Sequence, residues 1–89
     1  MIERKVQIVN RLGLHARAAA KLVRTTSGYA SKIVLQKDGI EVDGKSILGV
    51  LMLAASRGTE LTLRVSGHDE TEAIAAIETL IADRFGERE

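Results

Sequence analysis

The spacing of apolar residues switches repeatedly between a period of two and one near 3.6. Val6 and Ile8 alternate with Lys5 and Gln7, which predicts a first strand over residues 3–9. Asn10-Arg11-Leu12-Gly13 then breaks the pattern. Over residues 16–27 the period becomes helical. Ala16, Ala19, Ala20 and Val23 form one stripe flanked by Leu22, while Arg17, Lys21 and Arg24 share the opposite side. Those three cations read as a solvated face, with Lys21 open between solvent and a partner contact. Gly28 is a suitable stop. Alternation returns over residues 31–37, where Ile33 and Leu35 point one way. Asp38-Gly39 signals a two-residue hairpin, Ile40 and Val42 continue the return strand, and Asp43-Gly44 makes a second turn.

Ser46 is placed to cap a helix over residues 47–53. Ile47, Leu48, Val50, Leu51, Met52 and Leu53 project all round such a helix, so it either sits wholly in the core or exposes an apolar patch. In a small domain the second arrangement is the expected one. Leu61, Leu63 and Val65 mark the clearest strand. After Gly67, Asp69 and Glu72 resemble a capping box, and Ala73, Ile74, Ile77, Leu80 and Ile81 predict a helix to about residue 84, stopped by Gly86. Glu70, Glu78 and Asp83 are expected to face water. Strands with one apolar face, interleaved with helices as βαββαβα, predict a two-layer α+β open-faced sandwich: an antiparallel sheet with helices on one face only.

Composition narrows the function. With 89 residues the chain is expected to form one domain, residues 1–89. A net charge of +1 and only two aromatic residues, Tyr29 and Phe85, argue against nucleic-acid binding. Without cysteine there is no disulfide or thiolate chemistry, and His15 and His68 are too far apart in sequence to suggest a metal site. The N-terminus is too charged for a signal peptide, and no apolar run approaches a membrane span, so a cytoplasmic protein without membrane insertion is expected. No cofactor motif occurs. His68, at the end of a strand beside Asp69 and Glu70, reads as an exposed loop residue.

Gly13-Leu14-His15-Ala16-Arg17 is the candidate reactive stretch. A helix beginning at Ala16 would put the imidazole at its N-terminus, where unpaired amides and the helix dipole favour an anion. The dipole disfavours imidazolium, keeping the ring nucleophilic, and Arg17 can add charge-assisted hydrogen bonds to a phosphoryl group. Ser46 reads first as a cap. A phosphate there would leave the helix intact while placing about −1.5 to −2 charges beside an apolar patch.

The His15 stretch, followed by Lys45-Ser46-Ile47-Leu48-Gly49-Val50-Leu51-Met52, resembles HPr, the histidine-containing phosphocarrier of the bacterial phosphoenolpyruvate-dependent phosphotransferase system. The resemblance spans the whole chain. It implies four antiparallel strands in the order 1-4-2-3 with three helices on one face. By the same resemblance, enzyme I would phosphorylate His15 at Nδ1, Arg17 would assist, and the phosphoryl group would pass to a histidine of an enzyme IIA domain for sugar uptake or regulation. Ala16, Ala20, Arg24, Ile47, Leu48, Gly49, Leu51 and Met52 would form the docking surface, with Gly49 allowing close approach. Ser46 would be the target of an HPr kinase/phosphorylase, with a transcriptional regulator as a further partner. The protein would act as a monomer, in the transferase class but without turnover of its own. Where the family pattern has proline, this chain has Ala18, which points to a nitrogen-regulatory or mainly regulatory branch as the alternative.

Overall fold

The computed structural model describes residues 1–89. Strand β1 (Ile2–Gln7) leads to α1 (Ala16–Thr26), the hairpin β2 (Lys32–Lys37) and β3 (Ile40–Asp43), α2 (Ile47–Met52), β4 (Glu60–Ser66) and α3 (Glu70–Ala82). A single 3-10 turn, Arg84–Gly86, follows. The four strands form one antiparallel sheet in the order β1-β4-β2-β3. Period two puts Ile33 and Leu35 of β2 opposite Val65 and Leu63 of β4, and all four side chains are buried together with Leu61. The helices cover that face: α3 lies against β1 and β4, α1 against α2 and α3, and α2 against β3. The other face is polar, with Arg64 of β4 paired to Glu3 on the adjacent β1 and, reaching past β2, to Glu41 on β3. The open-faced sandwich and its strand order match the expectation.

The hairpin behaves as its dipeptide requires. Asp38 (φ 50°) and Gly39 (φ 81°) are both left-handed, the conformation of a two-residue turn that suits twisted strands. Ser46 caps α2, its hydroxyl accepting the Gly49 N–H at 3.0 Å. Only Val50 of α2 is fully buried, while Ile47, Leu48 and Met52 are exposed, so the helix packs on one side and leaves the other bare.

Several expectations are corrected. The buried stripe of α1 is Ala18, Ala19, Leu22 and Thr26: of the expected Ala16, Ala19, Ala20 and Val23 only Ala19 is fully buried, and the flanking Leu22 moves to the centre. In a run of alanines the apolar pattern carries little directional information, so tertiary packing sets the rotation. Strand β1 ends at Gln7, yet Ile8 stays buried: it donates its N–H to Thr59 O at 2.9 Å and accepts from Gly58 N–H at 2.7 Å. Helix α3 ends at Ala82, because Arg84 (φ 57°) and Phe85 (φ 55°) turn left-handed and drive the Phe85 ring fully into the core.

Asp69 does not cap α3 with its side chain. Its carboxylate instead accepts hydrogen bonds from the Ser31 hydroxyl, Ala30 N–H (2.8 Å) and Ser31 N–H (2.9 Å), tying the start of α3 to the approach to β2. Those bonds, the Ser31 hydroxyl foremost, lower its pKa from 3.8 to about 2. Glu70 is also engaged rather than simply facing water, accepting the Gly67 N–H at 3.1 Å and pairing with the N-terminal ammonium at 3.2 Å. Glu78 pairs with Arg4 at 3.5 Å, and Asp83 is exposed as expected.

Candidate functional site

A tight loop delivers His15 to the start of α1. Gly13 (φ +70°) takes the left-handed turn, and a Cβ there would meet Ala55 O at 2.5 Å and Ser56 Cα at 2.9 Å. The loop after α2 is therefore pressed against the His15 loop with no room for a side chain. Leu14 N–H donates to Ala55 O at 2.8 Å, and the Leu14 side chain is buried. From behind, Lys37 Nζ donates to Leu53 O at 2.8 Å, pinning the bracing segment.

His15 is itself the N-cap of α1. Its backbone is extended (φ −76°, ψ 178°), its carbonyl accepts from Ala19 N–H at 2.8 Å, and its Nδ1 accepts from Arg17 N–H at 3.2 Å. The imidazole thus does what a serine or aspartate cap usually does. The ring's other nitrogen, Nε2, contacts Glu87, so Nε2–H is the donor and Nδ1 holds the free electron pair. That pair points at the helix N-terminus, where the first turn leaves amide hydrogens without intrahelical partners. A phosphoryl group on Nδ1 would take over the Arg17 N–H.

The ring is partly exposed, at 29% of its side-chain surface. It opens into a shallow cleft of about 610 Å³ lined by Arg11, Leu12, Ala16, Arg17, Glu87, Arg88 and Glu89. Arg11 is ion-paired with Glu89, whereas Arg17 and Arg88 form no ion pair and offer free guanidinium groups to an anion. Glu87 accepts from the Asn10 amide at 2.9 Å, and Asn10 also donates to Gly13 O at 2.8 Å. The Asn10 bond chiefly holds the Glu87 carboxyl below the usual carboxylate range; burial opposes the shift, and His15 adds to it.

The other expected site residues distribute as follows. Ala16 and Arg24 are exposed on α1, and Ala20 is half-buried. Ile47, Leu48 and Met52 form the bare side of α2, and Leu51 is half-buried. Gly49 faces inward: a Cβ there would lie 3.3 Å from Val42 Cβ and from Ser46 Oγ, so the close approach it permits is that of α2 to β3. Lys21 is neither simply solvated nor free for a partner, since its ammonium donates to Phe85 O at 2.7 Å. His68 is exposed, as expected. Sequence reasoning missed Asn10, Glu87 and the exposed Leu12 at the cleft. Only the polar Asn10 inside an otherwise apolar-flanked turn carried any signal.

The fold and the site define a small α+β protein that presents one histidine at a helix N-terminus. A family model described as "PTS HPr component phosphorylation site" matches residues 2–83, a segment that stops short of Glu87. The chain is 49% identical over 89 residues to the phosphocarrier protein HPr of Cupriavidus necator, with 100% of each chain covered. A crystal structure of HPr-C-His from Thermoanaerobacter tengcongensis superposes with a TM-score of 0.96 at 44% identity, again over 100% of both chains. Crh, a catabolite-repression protein of Bacillus subtilis whose crystal structure is described as a swapped dimer, matches with a TM-score of 0.75 at 39% identity, covering 94% of this chain and 97% of Crh. The chain belongs to the HPr phosphocarrier family of the phosphotransferase system.

Proposed function

We propose that His15 is the phosphoryl acceptor, taking the group on Nδ1 from enzyme I and passing it to a histidine of an enzyme IIA domain. The observation that carries this reading is the ring's place as N-cap of α1, with Nδ1 against the Arg17 N–H and Nε2–H held by Glu87. Arg17 follows in the same cleft, where its guanidinium can bond the phosphoryl oxygens. Each stabilising effect at this partly exposed site is modest, about 0.3–1 kcal/mol for the helix dipole. That suits a carrier, which must release what it accepts. The exposed Ile47, Leu48 and Met52 supply an apolar docking surface, joined by Leu51, Gly49, Ala16, Ala20 and Arg24. The protein works in the cytoplasm, where these partners reside, and serves sugar uptake or its regulation. Incubation with enzyme I and labelled phosphoenolpyruvate gives an acid-labile, base-stable label that His15→Ala abolishes. Persistence of the label in that variant would end the proposal.

A second reading is favoured by Ser46 and by the likeness to Crh. Ser46 is half-exposed at the cap of α2, next to the bare apolar side chains. A phosphate there keeps the capping bond to Gly49 N–H but repels partners from the patch. In this reading a kinase/phosphorylase acting on Ser46 governs binding to a transcriptional regulator. Partner binding that is identical for kinase-treated wild type and Ser46→Ala argues against it. Both readings take a single copy as the acting unit, and sedimentation at working concentration tests that against a dimer of the kind described for Crh.

A further inference from the structure

The last residues of the chain return to the reactive histidine, and the way they are held is specific. Phe85 is fully buried and anchors the tail to the core. Two successive left-handed residues, Arg84 (φ 57°) and Phe85 (φ 55°), reverse its direction, and Lys21 Nζ grips Phe85 O at 2.7 Å. The reversal lays Glu87 beside His15, where one carboxylate oxygen meets Nε2 and the other accepts from the Asn10 amide at 2.9 Å. Asn10 is fully buried, and both of its amide hydrogens are committed, to Gly13 O and to Glu87. Its own oxygen is left without a partner. A buried amide oriented at that cost is oriented for what its hydrogens hold.

We propose that Glu87, braced by Asn10, is the positioning residue of His15: it fixes the ring's orientation, keeps the proton on Nε2 and compensates the charge that phosphorylation creates. This inference rests on the reading of His15 as phosphoryl acceptor. The chemistry balances without any proton transfer. The neutral ring attacks through the Nδ1 electron pair, and the N–P bond forms as the bond to the donor's phosphohistidine breaks. The donor ring departs with that electron pair. His15 then carries phosphorus on Nδ1 and hydrogen on Nε2, so the ring is cationic and lies against the Glu87 carboxylate. When the group is passed on, the electron pair returns to Nδ1 and a neutral imidazole leaves. Had Nε2 lost its proton, the leaving group would be imidazolate, a far poorer one. The logic parallels that of a buried aspartate orienting a catalytic histidine.

The test compares Glu87→Ala and Glu87→Gln with wild type, using enzyme I and phosphoenolpyruvate as donor and ring-nitrogen NMR of the unphosphorylated protein. Wild type shows a slowly exchanging Nε2–H signal. In Glu87→Ala that signal is lost, and the labelling rate constant at saturating donor falls about tenfold, the effect of one charge-assisted hydrogen bond at a partly exposed site. Glu87→Gln can still accept from Nε2–H but carries no charge. It keeps the signal and reacts at an intermediate rate, and because it preserves shape it decides the case if Glu87→Ala folds poorly. Wild-type rate constants in both variants, with the Nε2–H signal unchanged, would overturn the proposal. Label on His15 in wild type together with that result removes only the role of Glu87, whereas label surviving His15→Ala removes the acceptor reading itself.

Discussion

Replacing Gly13 by alanine tests how the His15 loop is built. Gly13 sits at φ +70°, where an L-residue carries a penalty of about 1 kcal/mol. The new Cβ would also lie 2.5 Å from Ala55 O and 2.9 Å from Ser56 Cα, both backbone atoms that cannot rotate away. Separating the two segments stretches the Leu14 N–H to Ala55 O bond of 2.8 Å and loosens the buried Leu14. Overpacking of this kind adds about 2 kcal/mol. Gly13→Ala is therefore expected to lose about 3 kcal/mol in all, which lowers the melting temperature of a domain this size by about 12–24 °C. Gly39→Ala is the control, because its φ is also left-handed (+81°) but nothing lies within 4 Å of its added Cβ. It should lose only about 1 kcal/mol, or about 4–8 °C. Urea and thermal unfolding followed by circular dichroism measure both. The shifted loop also moves His15, so Gly13→Ala should be labelled more slowly while Gly39→Ala matches wild type. Equal melting temperatures for the two variants would refute the packing argument.

Asp69 makes stability depend on acid. Its folded pKa of about 2 lies below the ordinary 3.8, so the Ser31–Ala30 clasp contributes fully above about pH 4 and is lost as pH falls toward 2. The stability gap between wild type and Asp69→Asn, followed by denaturant unfolding across that range, should close toward pH 2; a gap independent of pH contradicts the assignment. Phe85→Ala empties a fully buried site and should cost about 3 kcal/mol in urea unfolding. By releasing the tail it should also weaken the His15 Nε2–H signal. Ser46→Ala removes the hydroxyl that accepts Gly49 N–H and should cost about 1 kcal/mol, whereas Ser46→Asp retains a cap and should stay near wild type.

The alternation through Ile33, Leu35, Leu61, Leu63 and Val65 determined the strands and their buried face, because burial on one side of a pleated ribbon writes itself directly as period two. Asp38-Gly39 and Ser46 were equally legible, since a left-handed turn and a helix cap are satisfied within a few residues. The reactive candidate was also local: a glycine turn, a histidine and the start of a helix lie consecutively between Gly13 and Arg17.

Only the tertiary structure decided what lies across the chain. It chose which alanines of α1 face inward, because near-identical small side chains give the helix no preferred rotation until it meets the sheet. It turned Asp69 from a local cap into a clasp 38 residues away on Ser31, and it brought Glu87 onto His15 across 72 residues. Hydrogen bonds between polar groups far apart in the chain leave no periodic trace, as their geometry exists only once the core has formed. The candidate histidine was therefore marked locally, while the orientation of its ring was settled by the packing of Phe85 and the tail that follows it.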